Sequence, residues 1–197
     1  MNSQPANLLP QDGEVYYYPN FFSPSESDTI FETLMKETQW KQEPIKIFGK
    51  EVMQPRLTAY YGDGERELKY SGITMQSHAW TPTLFTIKKS IEPSAGIHFN
   101  GVLLNQYRNE KDSMGWHRDN EKELGKDPVI ASVNFGATRK FKLRHYFNKK
   151  LTASIELEHG SLLIMKGTTQ HFWEHSVAKV TAETLPRINL TFRYLYS

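Results

Sequence analysis

Apolar and polar positions alternate with a period of two along most of the second half of this chain. The runs are Leu103 to Tyr107, Val129 to Phe135, Lys140 to His145, Ser154 to Glu158, Ser161 to Met165 and Arg187 to Tyr196. Side chains two residues apart leave the same face of an extended backbone, so each run predicts a strand with one face buried. Short strands in such a series predict a jelly roll or β-sandwich rather than a parallel sheet. The front of the chain reads differently. Val15 to Tyr18 is a short aromatic strand, and Ser23-Pro24-Ser25-Glu26 supplies an N-cap, a first-turn proline and a capping-box glutamate. The helix they open has Ile30, Phe31, Leu34 and Met35 on its apolar face. Thr81-Pro82 opens a second helix carrying Leu84, Phe85, Ile87 and Ile91, and both helices are expected to pack on a sheet. Between them, Ile45 to Val52 predicts a hairpin with Phe48-Gly49-Lys50 at its tip.

The fold class is therefore α+β and mainly β. A length of 197 residues suits one domain, and no repeat or linker divides it. Residues 1–13, polar and with two prolines, are expected to be a loose tail; residues 14–98 hold the helices, and residues 99–197 form the jelly-roll core. No cysteine is present, which removes disulfides, iron–sulfur clusters, cysteine-ligated zinc and thiol nucleophiles and leaves metal chemistry to His, Asp and Glu. The formal charge of +2 is too small to imply a nucleic-acid partner by itself. Neither a leader segment nor a run of roughly 18 apolar residues is visible, so a soluble cytoplasmic monomer without a membrane partner is expected.

Candidate chemistry gathers in the strands. His117 and Asp119 leave one face together, and a third neutral-capable donor from a remote strand would complete a two-His-one-carboxylate triad of the kind that holds Fe(II) with open positions. Of the other histidines, His171 and His175 in Thr169 to Ser176 remain as that donor, and local chemistry barely separates them. In the last run, Arg187, Asn189, Thr191 and Arg193 share one face, opposite Ile188, Leu190 and Phe192. On an edge strand this would be an ordinary solvated face. Asn105 and Tyr107, however, project in the same way from an otherwise apolar strand. Buried arginines are costly unless a charged ligand satisfies them, and a guanidinium fork matches a carboxylate. A dicarboxylate held at one end by metal and at the other by arginine would meet both needs.

Over residues 45–197, the ordered motifs Asn105-Gln106-Tyr107, His117-Arg118-Asp119-Asn120-Glu121, Ala131 to Gly136, His159-Gly160-Ser161-Leu162-Leu163, Trp173-Glu174-His175-Ser176 and Pro186 to Arg193 resemble the AlkB-type Fe(II)/2-oxoglutarate dioxygenases, most of all their double-strand DNA repair branch. The resemblance implies a double-stranded β-helix with supporting helices and a nucleotide-recognition lid. It makes His175 the distal metal ligand beside His117 and Asp119, and His171 a neighbour. It assigns Asn105, Tyr107, Arg187, Asn189, Thr191 and Arg193 to 2-oxoglutarate. The implied reaction uses Fe(II), 2-oxoglutarate and O2 to hydroxylate an alkyl carbon on a base nitrogen, with release of an aldehyde.

Such an enzyme must take the base out of its stack. By the same resemblance Phe48-Gly49-Lys50 fills the vacated stack, and Tyr70, followed by Ser71, stacks on the flipped base. Two positions depart from that branch. Leu68 stands where it has a hydroxyl-bearing tyrosine. Asn120 stands where it has an acidic residue, which passes recognition of the base's exocyclic amine to Glu121. Lys140, Lys142 and Arg144 project from one face, with Lys149 and Lys150 behind, and could grip phosphates. The expected partner is alkylated DNA, such as DNA with 1-methyladenine or 3-methylcytosine. RNA or protein substrates are the alternative for the same chemistry, and a non-catalytic jelly-roll binding module is the alternative of another class.

Overall fold

The computed structural model describes residues 5–47, 50–64, 67–70 and 73–196. In chain order the elements are β1 (Glu14–Tyr18), α1 (Pro24–Glu37), β2 (Pro44–Ile47), β3 (Lys50–Met53), β4 (Leu57–Gly62), β5 (Glu67–Tyr70), β6 (Ile73–Gln76), α2 (Pro82–Ala95), β7 (Gly101–Tyr107) and β8 (Met114–His117). After a single 3-10 turn, Lys122–Leu124, follow β9 (Ile130–Gly136), β10 (Arg139–His145), β11 (Thr152–Leu157), β12 (Ser161–Lys166), α3 (Thr169–Phe172), β13 (Trp173–Val177) and β14 (Arg187–Arg193). No described helix is long and apolar enough to cross a membrane.

Two antiparallel sheets face each other, the larger in the order β1-β12-β9-β14-β7-β4 and the smaller in the order β11-β10-β13-β8. The expected jelly roll is thus the observed fold. Hairpins β2–β3 and β5–β6 stand outside it as separate two-stranded sheets. Local signals place the helices as expected. The Ser23 hydroxyl accepts from the Glu26 amide while the Glu26 carboxylate accepts from the Ser23 amide, a reciprocal capping box at α1. Thr81 caps α2, which ends at Gly96 in the left-handed region, φ 71°.

β14 lies between β9 and β7, and all seven of its residues are buried, so its polar face is not a solvated edge. Ile188, Leu190 and Phe192 join Leu84, Ile87, Ile91 and Phe99 in the core beneath α2. Each such fully buried side chain contributes about 2 kcal/mol. Arg187, Asn189, Thr191 and Arg193 turn the other way, into the cavity between the sheets. A second apolar cluster, including Leu9, Val15, Phe141, Leu143, Leu163, Met165 and Trp173, lies between the sheets.

Three expectations need correction. Residues 5–13 are not a loose tail: Leu9 is buried, Asn7 Oδ1 accepts from the amides of Leu9 and Val15, and Gln11 O accepts from Trp173 Nε1. One asparagine turn and one apolar anchor hold this polar segment against the sheet. The last strand ends at Arg193, short of Tyr196. Strands β4, β5, β6, β8 and β13 form in addition to the expected runs. β8 is four residues long with a glycine inside it, and β13 is polar at both Glu174 and His175, so neither shows clean alternation.

Candidate active site

His117 ends β8, Asp119 follows two residues later, and His175 lies on β13. The β13–β8 ladder places His175 directly opposite His117. One potential ligand atom from each of the three residues falls within 4.8 Å of the others, a group that could hold a metal ion. His117 Nδ1 donates to Gly115 O at 2.9 Å, which leaves the Nε2 lone pair 3.7 Å from Asp119 Oδ1. The Asp119 amide donates to Gln170 Oε1 at 2.9 Å, and Asp119 Oδ2 accepts from Arg193 Nη2 at 2.7 Å. Asp119 Oδ1 and His175 Nδ1 are buried and find no hydrogen-bond partner among the described residues. Buried polar atoms left in this way are costly, and two imidazoles with one carboxylate are the donor set of a facial triad. The residues present therefore fit an Fe(II) ion.

Electrostatics favour the same reading. Burial alone would raise the Asp119 carboxyl, but Arg193, His175 and His117 override it and hold it well below the usual carboxylate range. Burial pushes His175 down to about 3, with His117 and Arg193 adding to the effect and Asp119 opposing it. Burial also lowers His117. At neutral pH the carboxylate is charged and both imidazoles are neutral, which is the protonation state a metal requires.

The wall beside the triad comes from β14, β7 and β9. Arg187 is 1% exposed, and its Nη2 donates to Asn134 Oδ1 at 2.6 Å. Arg187 Nε and Nη1 are buried and make no well-formed hydrogen bond among the described residues, although Tyr107 lies close enough to interact with the guanidinium. Its Cζ lies 4.9 Å from the Tyr107 ring centroid. Asn189 Nδ2 donates to Ser132 Oγ at 2.8 Å and to Asn134 Oδ1 at 3.1 Å, and Thr191 Oγ1 donates to Asn189 Oδ1 at 3.0 Å. Asn105 Oδ1 accepts from Arg56 Nε at 2.8 Å. All six residues of the expected 2-oxoglutarate set line one cavity with His117, Asp119 and His175. Arg193 differs from the rest of that set, because its guanidinium is engaged by the triad carboxylate.

His171 is excluded from the cluster. Its Nε2 pairs with Asp127 Oδ1 at 2.9 Å, and its carbonyl accepts from Arg118 Nη1. Asn120 points to solvent, whereas Glu121 is partly buried, and burial followed by the nearby Asp119 charge raises its carboxyl. Phe48, Gly49 and Ser71 lie outside the described residues; Lys50 and Tyr70 are placed as backbone in β3 and β5. The basic stripe on β10 is partly neutralised, Lys140 pairing with Glu156 at 3.3 Å and Arg144 with Glu174 at 2.7 Å. Arg56, Ser132, Asn134 and Gln170 join the site only through the fold. Ser132 and Asn134 could have been found, since they alternate with Ala131 and Val133 as Asn105 and Tyr107 do with their neighbours.

The profile of the 2OG-Fe(II) oxygenase superfamily matches residues 14–193, and the chain belongs to that superfamily. Among curated proteins it is 44% identical over 191 residues to the human alpha-ketoglutarate-dependent dioxygenase alkB homolog 3, covering 92% of this chain and 66% of that protein. It is 38% identical over 186 residues to the human DNA oxidative demethylase ALKBH2, covering 89% of this chain and 71% of that protein. A solved structure titled "The structure of OsALKBH1" superposes with a TM-score of 0.65 at 18% identity, covering 91% of this chain and 97% of the other, and shows the shared fold. The chain spans about 65% of the length of the first curated relatives it matches.

Proposed function

We propose that this protein is an Fe(II)/2-oxoglutarate-dependent oxidative demethylase that repairs N-alkylated bases, such as 1-methyladenine and 3-methylcytosine, in DNA. His117, Asp119 and His175 would hold the iron, which with 2-oxoglutarate and O2 supplies the oxidising chemistry when bound. The observation that carries the reading is a pairing of unmet needs along one buried cavity. Asp119 Oδ1 and a ring nitrogen of His175 stand without partners among the described residues, and two Arg187 nitrogens make no well-formed hydrogen bond there. A metal answers the first and a carboxylate the second. Arg187 would take the far carboxylate of 2-oxoglutarate beside Tyr107, Arg193 would fix the Asp119 carboxylate, and Gln170 would fix its backbone.

Support on the substrate side comes from the similarity to the human DNA oxidative demethylase ALKBH2 and from the motifs Phe48-Gly49-Lys50, Tyr70-Ser71 and Asn120-Glu121. Phe48 would fill the space left by a flipped base and Tyr70 would stack on it. Glu121, partly buried where Asn120 is exposed, would meet the exocyclic amine. Turnover with defined oligonucleotides tests this reading. Succinate and formaldehyde should appear in equal amounts with 1-methyladenine or 3-methylcytosine DNA. Turnover confined to methylated RNA would move the substrate to RNA, and turnover with protein substrates alone, or none at all, would sink the reading.

A further inference from the structure

Arg139 is almost wholly buried, yet no part of the chemistry above uses it. It opens β10 directly after a tight turn from β9. Gly136, with φ +85°, makes that turn, and a Cβ there would run into Pro186 O and the Phe31 ring. The Ala137 amide donates to Pro186 O at 3.0 Å and so ties the turn to the residue before Arg187. Arg139 is thus delivered to the end of the barrel at which β7 finishes and β14 starts.

Its donors go to main-chain carbonyls of two loops. Nη1 donates to Asn109 O at 3.4 Å, and Nη2 donates to Asp112 O at 3.0 Å and to Ala178 O at 2.5 Å. The first two carbonyls belong to the loop that leads into β8 and His117, and the third to the segment that leaves β13 and His175. Val180 N to Glu110 O, at 3.1 Å, ties the same two loops again. Arg139 Cζ lies 5.7 Å from the Tyr107 ring centroid, the same ring over which Arg187 lies at 4.9 Å. Tyr107 and Arg187 are direct partners in the β7–β14 ladder. Two guanidiniums thus share one buried phenol; that of Arg187 lines the cavity, whereas Arg139, on the opposing sheet, is not part of its lining. Two buried like charges this close favour an anion at the cavity side, and the carbonyl bonds of Arg139 leave it no freedom to move there itself.

We propose that Arg139 is a positioning residue for the far carboxylate of 2-oxoglutarate: bonded to carbonyls of both loops, it holds the Tyr107 ring and so sets the angle at which Arg187 meets that carboxylate. This rests on the function proposed above. The guanidinium fork matters beyond its charge, because a lysine ammonium has neither a second nitrogen to reach Asn109 O while the first bonds Asp112 O and Ala178 O, nor a planar face to lay beside the Tyr107 ring.

The test compares wild type, Arg139→Gln and Arg139→Lys, each loaded anaerobically with Mn(II). Equilibrium binding of 2-oxoglutarate is measured beside that of 2-oxobutyrate, which keeps the 2-oxo acid head and lacks the far carboxylate. Arg139→Gln should weaken 2-oxoglutarate about 10-fold or more while leaving 2-oxobutyrate and Mn(II) binding within about 2-fold of wild type. Arg139→Lys should show the same selective loss, smaller in size, and carries the comparison should the glutamine variant fail to fold. In turnover the Michaelis constant for 2-oxoglutarate should rise with kcat at saturation little changed. Equal losses for both acids, or a lowered melting temperature without selectivity, would reduce Arg139 to a loop staple and overturn the proposal. Unchanged binding in both variants would overturn it as well. Failure of the wild type itself to bind 2-oxoglutarate would overturn the proposed function, and this inference with it.

Discussion

His117 and His175 face each other as direct partners across the β8–β13 ladder, with ring centroids 4.2 Å apart. A strand pair thus converts two histidines 58 positions apart in sequence into adjacent ligands, while His171, four residues before His175, is turned outward to Asp127. His175→Ala should abolish iron-dependent turnover and weaken Mn(II) binding by more than about 100-fold. His171→Ala should leave metal binding within about 3-fold, since an exposed ion pair is worth little. Metal titration of both variants decides the matter, and the opposite ranking would remove His175 from the site.

Arg187 should control co-substrate affinity without touching the metal. Arg187→Lys keeps a cation but loses the planar fork, so 2-oxoglutarate should bind about 10- to 100-fold more weakly while Mn(II) affinity is unchanged. Anaerobic titration of the Mn(II) protein reads both quantities. An unchanged 2-oxoglutarate constant would place the far carboxylate elsewhere.

Acid should loosen the α2 anchor. Glu92 is buried at the end of α2, where burial alone would raise its carboxyl. Lys88 at 2.8 Å, the Phe99 amide at 3.0 Å and His98 at 3.1 Å hold it down at about 2 instead. Its folded value lies below the unfolded value of 4.5, so the stability it contributes is present in full above pH 4.5 and is lost as pH falls toward 2. Glu92→Gln should cost about 2–3 kcal/mol at neutral pH, with the difference closing near pH 2. Urea unfolding across that range checks both the size and the sign.

The β10 stripe should act through Lys142 first. Lys140 and Arg144 already have acidic partners, whereas Lys142 has no ion pair among the described residues. Lys142→Ala should lower the slope of log affinity against log salt on duplex DNA by about 0.9, and Lys140→Ala by less. A Lys142→Ala variant with an unchanged slope would remove this face from the DNA contact.

Features that depend on near neighbours are legible in the chain alone. Period-two alternation announced the jelly-roll strands, Ser23 to Glu26 and Thr81-Pro82 announced the helices, and the two faces of Arg187 to Arg193 announced a polar wall opposite an apolar one. Local chemistry left His171 and His175 level, and the ordered motifs ranked them only through a family resemblance. Tertiary structure decided the rest, because pairing register and sheet order are properties of strands distant in the chain. Only the placement of β14 between β9 and β7 turned its polar face into a buried wall. Only the β13–β8 register put His175 across from His117. Arg193 became the partner of Asp119, and Arg56, Gln170 and Arg139 entered the picture, because the fold buries their polar atoms and brings them partners from far along the chain.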